Sequence, residues 1–111
     1  MNLTRTSVEG LDVARPPSPR VVAAARSIGE QLVAWRKLQG LTALQVAERA
    51  GIARNTLRRI ETGDSGVNLQ AFLSVARALG VLDDIVTATD PYETDLGRAR
   101  ADEILPKRVR Q

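Results

Sequence analysis

Between Leu41 and Gly63 the chain reads LTALQVAERAGIARNTLRRIETG. Thr42 and Gln45 stand three residues apart, the spacing of a capping box, in which hydroxyl and amide each satisfy a backbone N–H at a helix start. Val46, Ala47 and Ala50 then recur at helical spacing. Gly51 follows, able to take a positive φ at little cost. Only Ala50 to Ala53 separate this helix from the next, whose inward pair is Leu57 and Ile60 and which stops near Thr62-Gly63. The two helices are therefore held at a fixed angle by a tight turn. Ala47 sits where they cross, small enough for close packing.

Upstream, Ser18 and Pro19 predict a helix start, with the serine as N-cap and the proline at the first helical position. Ile28, Leu32, Trp35 and Leu38 recur at helical spacing, with Arg26, Glu30, Arg36 and Lys37 on other faces, and Gly40 is a natural stop. The first helix is expected from Pro19 to Gln39. Residues 1–18, with Gly10, Pro16 and Pro17 and no sustained period, are expected to form a disordered, flexible arm. Downstream, Asn68 is placed to cap a fourth helix with an apolar stripe of Leu69, Phe72, Leu73, Val75, Ala76 and Leu79, ended by Gly80. Leu82, Ile85 and Val86 predict a short fifth helix before Asp90-Pro91. Thr94-Asp95 could cap a weak helix over Leu96–Glu103, and Lys107, Arg108 and Arg110 make the C-terminal tail basic. The domain is expected over residues 19–89, with the two-helix motif at 42–62 and an extension at 90–111.

The chain has 111 residues, enough for one small domain with tails. Aromatic residues are 3% of it, so Leu, Val, Ile and Ala must fill the core. It has neither cysteine nor histidine. That removes disulfides, thiolate and imidazole metal sites, and histidine-based triads and general bases. Carboxylates are present, but no spacing nominates a catalytic site, so no enzyme, cofactor or metal is expected. The formal charge is +3, which favours a polyanionic partner without establishing one. The longest apolar run near the start is Val21–Ala25, too short for a signal peptide or a membrane span. A cytoplasmic location, with no membrane partner, is expected.

The second helix of the motif has an outward face made by Arg54, Asn55, Arg58 and Arg59. Arginine pairs bidentately with guanine O6 and N7, and asparagine with adenine N6 and N7, each good pair contributing roughly 1–3 kcal/mol of discrimination. Thr56 could bind a phosphate or touch a thymine methyl. The helix N-termini, including the one at Thr42, offer free amides to phosphate. A pair such as Arg58-Arg59 could equally be a solvated helix face.

Leu41–Ile85 resembles the Cro/C1-type (XRE family) helix-turn-helix domain of phage repressors and bacterial regulators. The resemblance rests on Leu41-Thr42, Val46-Ala47, Ala50-Gly51, Leu57, Ile60-Glu61, Gly63 and Leu79-Gly80. It implies an all-α, five-helix, Cro/C1 repressor-like DNA-binding domain. It places Arg54, Asn55 and Arg59 at base-contact positions, with Thr42, Thr56 and Arg58 as phosphate or additional contacts. It also implies an ion pair between Arg36 and Glu61 that holds the recognition helix at its docking angle. Ala43 replaces a usual phosphate-contacting glutamine. Ala53 replaces a usual Ser or Thr cap, worth about 1 kcal/mol. Asp64 stands where basic residues would help. All three predict a moderate grip on DNA by one copy.

The whole chain also resembles HipB-like antitoxins encoded beside HipA-like Ser/Thr kinase toxins. Gly66-Val67-Asn68-Leu69, Leu79-Gly80-Val81-Leu82-Asp83-Asp84, Thr94-Asp95-Leu96-Gly97-Arg98 and Leu105-Pro106-Lys107-Arg108-Val109-Arg110 carry that likeness. It implies a homodimeric, autoregulating repressor that also binds a kinase-like toxin. The expected arrangement is a homodimer on a pseudo-palindromic operator in double-stranded DNA, recognition helices about 34 Å apart, on the nucleoid. Its dimer contacts would lie on the fifth helix, at Leu82, Ile85 and Val86. The alternatives are a stand-alone phage- or host-type regulator, or a protein-interaction module that uses the helix-turn-helix only as scaffold.

Overall fold

The structure, a computed structural model, describes residues 15–104. The expected arm lies outside these residues except for 15–18, and so does the basic end with Lys107, Arg108 and Arg110. The described elements are α1 (Pro19–Leu38), α2 (Ala43–Ala50), α3 (Arg54–Glu61), α4 (Leu69–Leu79), α5 (Leu82–Ala88), a 3-10 turn (Pro91–Glu93) and α6 (Asp95–Ala99). No strand occurs among the described residues.

The helix starts are set by short-range hydrogen bonds. Ser18 Oγ accepts from the Val21 N–H at 3.2 Å, with Pro19 opening α1. At α2 both halves of the capping box are made: the Gln45 N–H donates to Thr42 Oγ1 (3.1 Å), and the Thr42 N–H donates to Gln45 Oε1 (2.9 Å). Asn68 Oδ1 accepts from the Ala71 N–H at 2.7 Å to start α4. Gly51 has φ of 70°, so α2 ends in the left-handed conformation and the chain can turn directly into α3. α5, behind Val81, and α3 have no such bond. At α3, Ala53 supplies no side-chain cap, and the helix depends on its neighbours for its start.

Those neighbours form one apolar centre. Leu32, Val46, Ala47, Leu57, Ile60, Ala71, Val75 and Leu79 are buried together, with Leu41, Ile52, Val67, Phe72 and Val81 packed around them. Val46, Leu57 and Val75 are buried almost completely, and each such side chain contributes about 1.5–3 kcal/mol by leaving water.

Two apolar stripes and one helix end differ from expectation. On α1 only Leu32 of the expected set is buried, while Leu38 is 79% exposed and Ile28 and Trp35 are both half in water. The inner face is turned by one residue, through Gly29, Leu32 and Arg36. Gly29 lets the α1 backbone approach α3 closely, and the Arg36 guanidinium is partnered there, so neither position needs to be apolar. On α4, Leu69 is 68% exposed. It occupies the first helical position at the rim of the bundle, and Ala71 takes the buried place instead. In the extension, α6 stops at Ala99 with Arg100 as its cap, so the expected Leu96–Glu103 helix is broken there; helix resumes over residues 101–104.

Candidate nucleic-acid interface

With about 100° per residue in a helix, Arg54, Arg58, Asn55 and Arg59 follow one another around an arc of about 140° on α3. All four are exposed. Leu57 and Ile60, on the opposite arc, are buried. α3 thus shows a polar, basic face to solvent and an apolar one to the core, and Thr56 lies at the boundary, half-buried.

α3 is fixed from behind by α1. A methyl group at Gly29 would stand 2.6 Å from the carbonyl oxygens of both Ile60 and Glu61, so the two backbones touch with only a hydrogen between them. Beyond this contact, the Arg36 Nε donates to Glu61 Oε2 at 2.8 Å and Nη2 donates to Glu61 Oε1 at 3.3 Å. Nη1 donates to the Leu41 carbonyl at 3.3 Å. One guanidinium therefore joins α1, the start of the α1–α2 turn's exit and the end of α3. Both side chains are about 15% exposed (15% and 14%), well withdrawn from the screening that makes surface pairs weak. At the far end of α1, Gln39 Nε2 donates to the Leu79 carbonyl at 2.8 Å and ties the helix to α4.

The candidate contacts divide into two groups. Arg54, Asn55 and Arg58 line one shallow depression with Ala43 of α2. Thr42, exposed at the α2 N-terminus, neighbours Ala43 on that side. Arg59 is held apart from them. Its Nε donates to Asp64 Oδ2 at 2.7 Å, and Asp64 Oδ1 accepts from the Gly66 N–H at 2.8 Å. In the sequence Asp64 reads only as an unhelpful charge, and the signal for its bond is its spacing, a carboxylate five residues beyond Arg59 across a helix end. Gly29 carries a comparable signal, since an isolated glycine inside a helical pattern commonly marks a packing contact.

The hydrogen bond from Arg59 is the main cause that holds the Asp64 carboxyl below the usual carboxylate range, and the Gly66 N–H adds to it. A lowered folded-state pKa means that this contact favours the native state fully above the ordinary carboxylate range. The contribution disappears as pH falls through the lowered value. An NMR pH titration is expected to show Asp64 titrating below ordinary aspartates, and to move back up in Arg59→Ala. An ordinary midpoint in the unaltered protein would mean that the contact is not populated in solution.

The candidate dimer residues Leu82, Ile85 and Val86 fall within an arc of about 100° on α5. Ile85 lines a groove with Ile28, Trp35 and Phe72. Leu82 borders a second groove, with Leu69, Leu73 and Arg77. Val86 is 60% exposed. Among the described residues no helix is long and apolar enough to cross a membrane.

No curated protein and no solved structure gives a significant match to the chain. Residues 32–84, from the middle of α1 into α5, match the family model described as helix-turn-helix. Residues 32–84 therefore carry a helix-turn-helix domain, within an all-α fold of the Cro/C1 type.

Proposed function

We propose that the protein is a sequence-specific transcriptional repressor that works as a homodimer on a pseudo-palindromic operator. The observation that carries this is the exposed arc of Arg54, Asn55, Arg58 and Arg59 on a short helix clamped from behind by α1. A helix so held can enter a major groove as a rigid body. Arg54, Asn55 and Arg59 would read base edges, while Thr42, Thr56 and Arg58 would meet phosphates. The domain so defined spans residues 19–89, with the DNA-contacting motif at 42–62. Repression follows from occupying a promoter, in the cytoplasm and on the nucleoid.

Dimerisation places two such helices in successive major grooves, about 34 Å apart. α5 is the proposed contact, and the half-exposed Ile28 and Trp35 beside Ile85 give it an apolar surface to cover. We further propose that the protein is the HipB-like antitoxin of a toxin–antitoxin pair, autoregulating its operon and binding a HipA-like Ser/Thr kinase. The likeness of residues 66–69, 79–84 and 94–98 to such antitoxins supports this role.

Selection of bound sequences from random DNA tests the repressor. A two-fold-related consensus is expected, with binding that falls steeply as salt rises. Arg54→Ala and Arg59→Ala should each cost roughly 1–3 kcal/mol of discrimination, each at its own operator position. Unchanged selectivity in both variants would defeat the assignment. For the antitoxin role the decisive result is the neighbouring gene and its product. A kinase-like product is expected to form a stable complex with the full chain, and an unrelated neighbour would count against it.

A further inference from the structure

We propose that Asp64 is a positioning residue for base recognition, aiming the Arg59 guanidinium so that its Nη edge, and not its Nε edge, faces a guanine. The inference rests on the base-reading role proposed for Arg59.

An arginine can meet the O6 and N7 acceptors of guanine either side-on, through Nε and one Nη, or end-on, through the two Nη groups. Here the Nε–H is already spent on Asp64 Oδ2 at 2.7 Å. The carboxylate is itself anchored. Its other oxygen accepts from the Gly66 N–H at 2.8 Å, which closes a turn just beyond α3. Gly66 also lies beside the guanidinium: a methyl group there would stand 3.9 Å from Arg59 Nη2. The side chain is thus braced at its inner edge by a group fixed to the backbone, and the Nη groups remain to bond with a base. Both partners keep substantial exposure (45% and 39%), so the Nη edge is open to a ligand.

The arrangement has a second consequence. A carboxylate beside Arg59, just past the C-terminal end of α3, repels phosphate, so Asp64 weakens sequence-independent binding while it sharpens base choice. Removing it should therefore move the two properties in opposite directions. A merely structural role would lower both together.

The test uses the full chain with Asp64→Asn, Arg59→Ala and the double variant. Asparagine keeps an oxygen for the Gly66 N–H, so the turn is retained while the charge and the Arg59 anchor are lost. Binding is measured to the selected operator, to operators altered one position at a time, and to unrelated DNA at several salt concentrations. Asp64→Asn is expected to bind unrelated DNA several-fold more tightly and to lose roughly tenfold in preference at one operator position. That position should be the one lost in Arg59→Ala, and the double variant should discriminate there no worse than Arg59→Ala. Arg59→Lys, which leaves the Asp64 turn untouched, keeps the charge but not the planar fork. It should lose the same preference with an unchanged salt slope. Loss in Arg59→Ala with full preference in Asp64→Asn would overturn the positioning role alone. Full preference in Arg59→Ala would overturn the base-reading role of Arg59 and the positioning role with it.

Discussion

Gly29→Ala is expected to destabilise the domain by about 2 kcal/mol, although the same change in an isolated helix would help it. Alanine is favoured over glycine in a helix interior by about 1 kcal/mol. At this position the added methyl would lie 2.6 Å from two carbonyl oxygens, those of Ile60 and Glu61. Both are backbone atoms of α3, so neither can swing aside as a side-chain end would. The only relief is to push α3 away from α1, and overpacking of this kind costs roughly 1–3 kcal/mol, occasionally more. With two backbone oxygens at 2.6 Å the steric cost lies at the top of that range, about 3 kcal/mol, which leaves a net loss of about 2 kcal/mol after the propensity gain. In a domain this small the melting temperature should drop by about 8–16 °C. Because the displaced element is the one that carries Arg54, Asn55 and Arg59, operator affinity should fall further than the loss of folded protein accounts for. Thermal unfolding and DNA binding well below the transition separate the two effects. A variant at least as stable as the parent would show that α1 and α3 do not touch as described.

Glu61→Ala is expected to cost about 3 kcal/mol, the low end for breaking a buried ion pair because about 15% of each side chain remains exposed. The loss does not measure what the pair contributes. It arises because Arg36 is left charged in the interior with only the Leu41 carbonyl as a partner. Replacing both groups, as Arg36→Met with Glu61→Leu, removes the stranded charge and should recover most of the stability. The two variants therefore separate stability from function. If the pair holds α3 at its docking angle, the double variant should melt near the parent yet bind its operator more weakly. Chemical denaturation of the single and double variants checks the first claim, and operator titration checks the second. A double variant with full affinity would leave the pair only a role in folding.

Much of the local architecture is legible in the chain itself. Ser18, Thr42 with Gln45, and Asn68 each cap a helix through a bond to a residue three positions on. Gly51 turns the chain with a left-handed backbone. Such features depend on a few neighbouring residues, so a short stretch of sequence specifies them. The two-helix motif and its buried Val46, Ala47, Leu57 and Ile60 are legible for the same reason, because the turn is too short to let the helices separate.

The inner face of α1 is another matter. Apolar periodicity points to Ile28, Leu32, Trp35 and Leu38, whereas the structure turns Gly29 and Arg36 inward beside Leu32. A glycine and an arginine read as surface or as faults in a stripe. Each is suited to its place only by what lies opposite: two α3 carbonyls in one case, and the Glu61 carboxylate in the other. The same holds at the recognition helix. Residue types alone put Arg54, Asn55, Arg58 and Arg59 on an outward arc. That Arg59 is bonded to Asp64 while the other three share a depression depends on where the loop after α3 returns. The helices, their caps and the tight turn thus follow from bonds spanning three or four residues, which a short stretch of chain contains. Which side of α1 is buried, and which neighbour each arginine meets, depend instead on groups that packing brings together from distant parts of the chain.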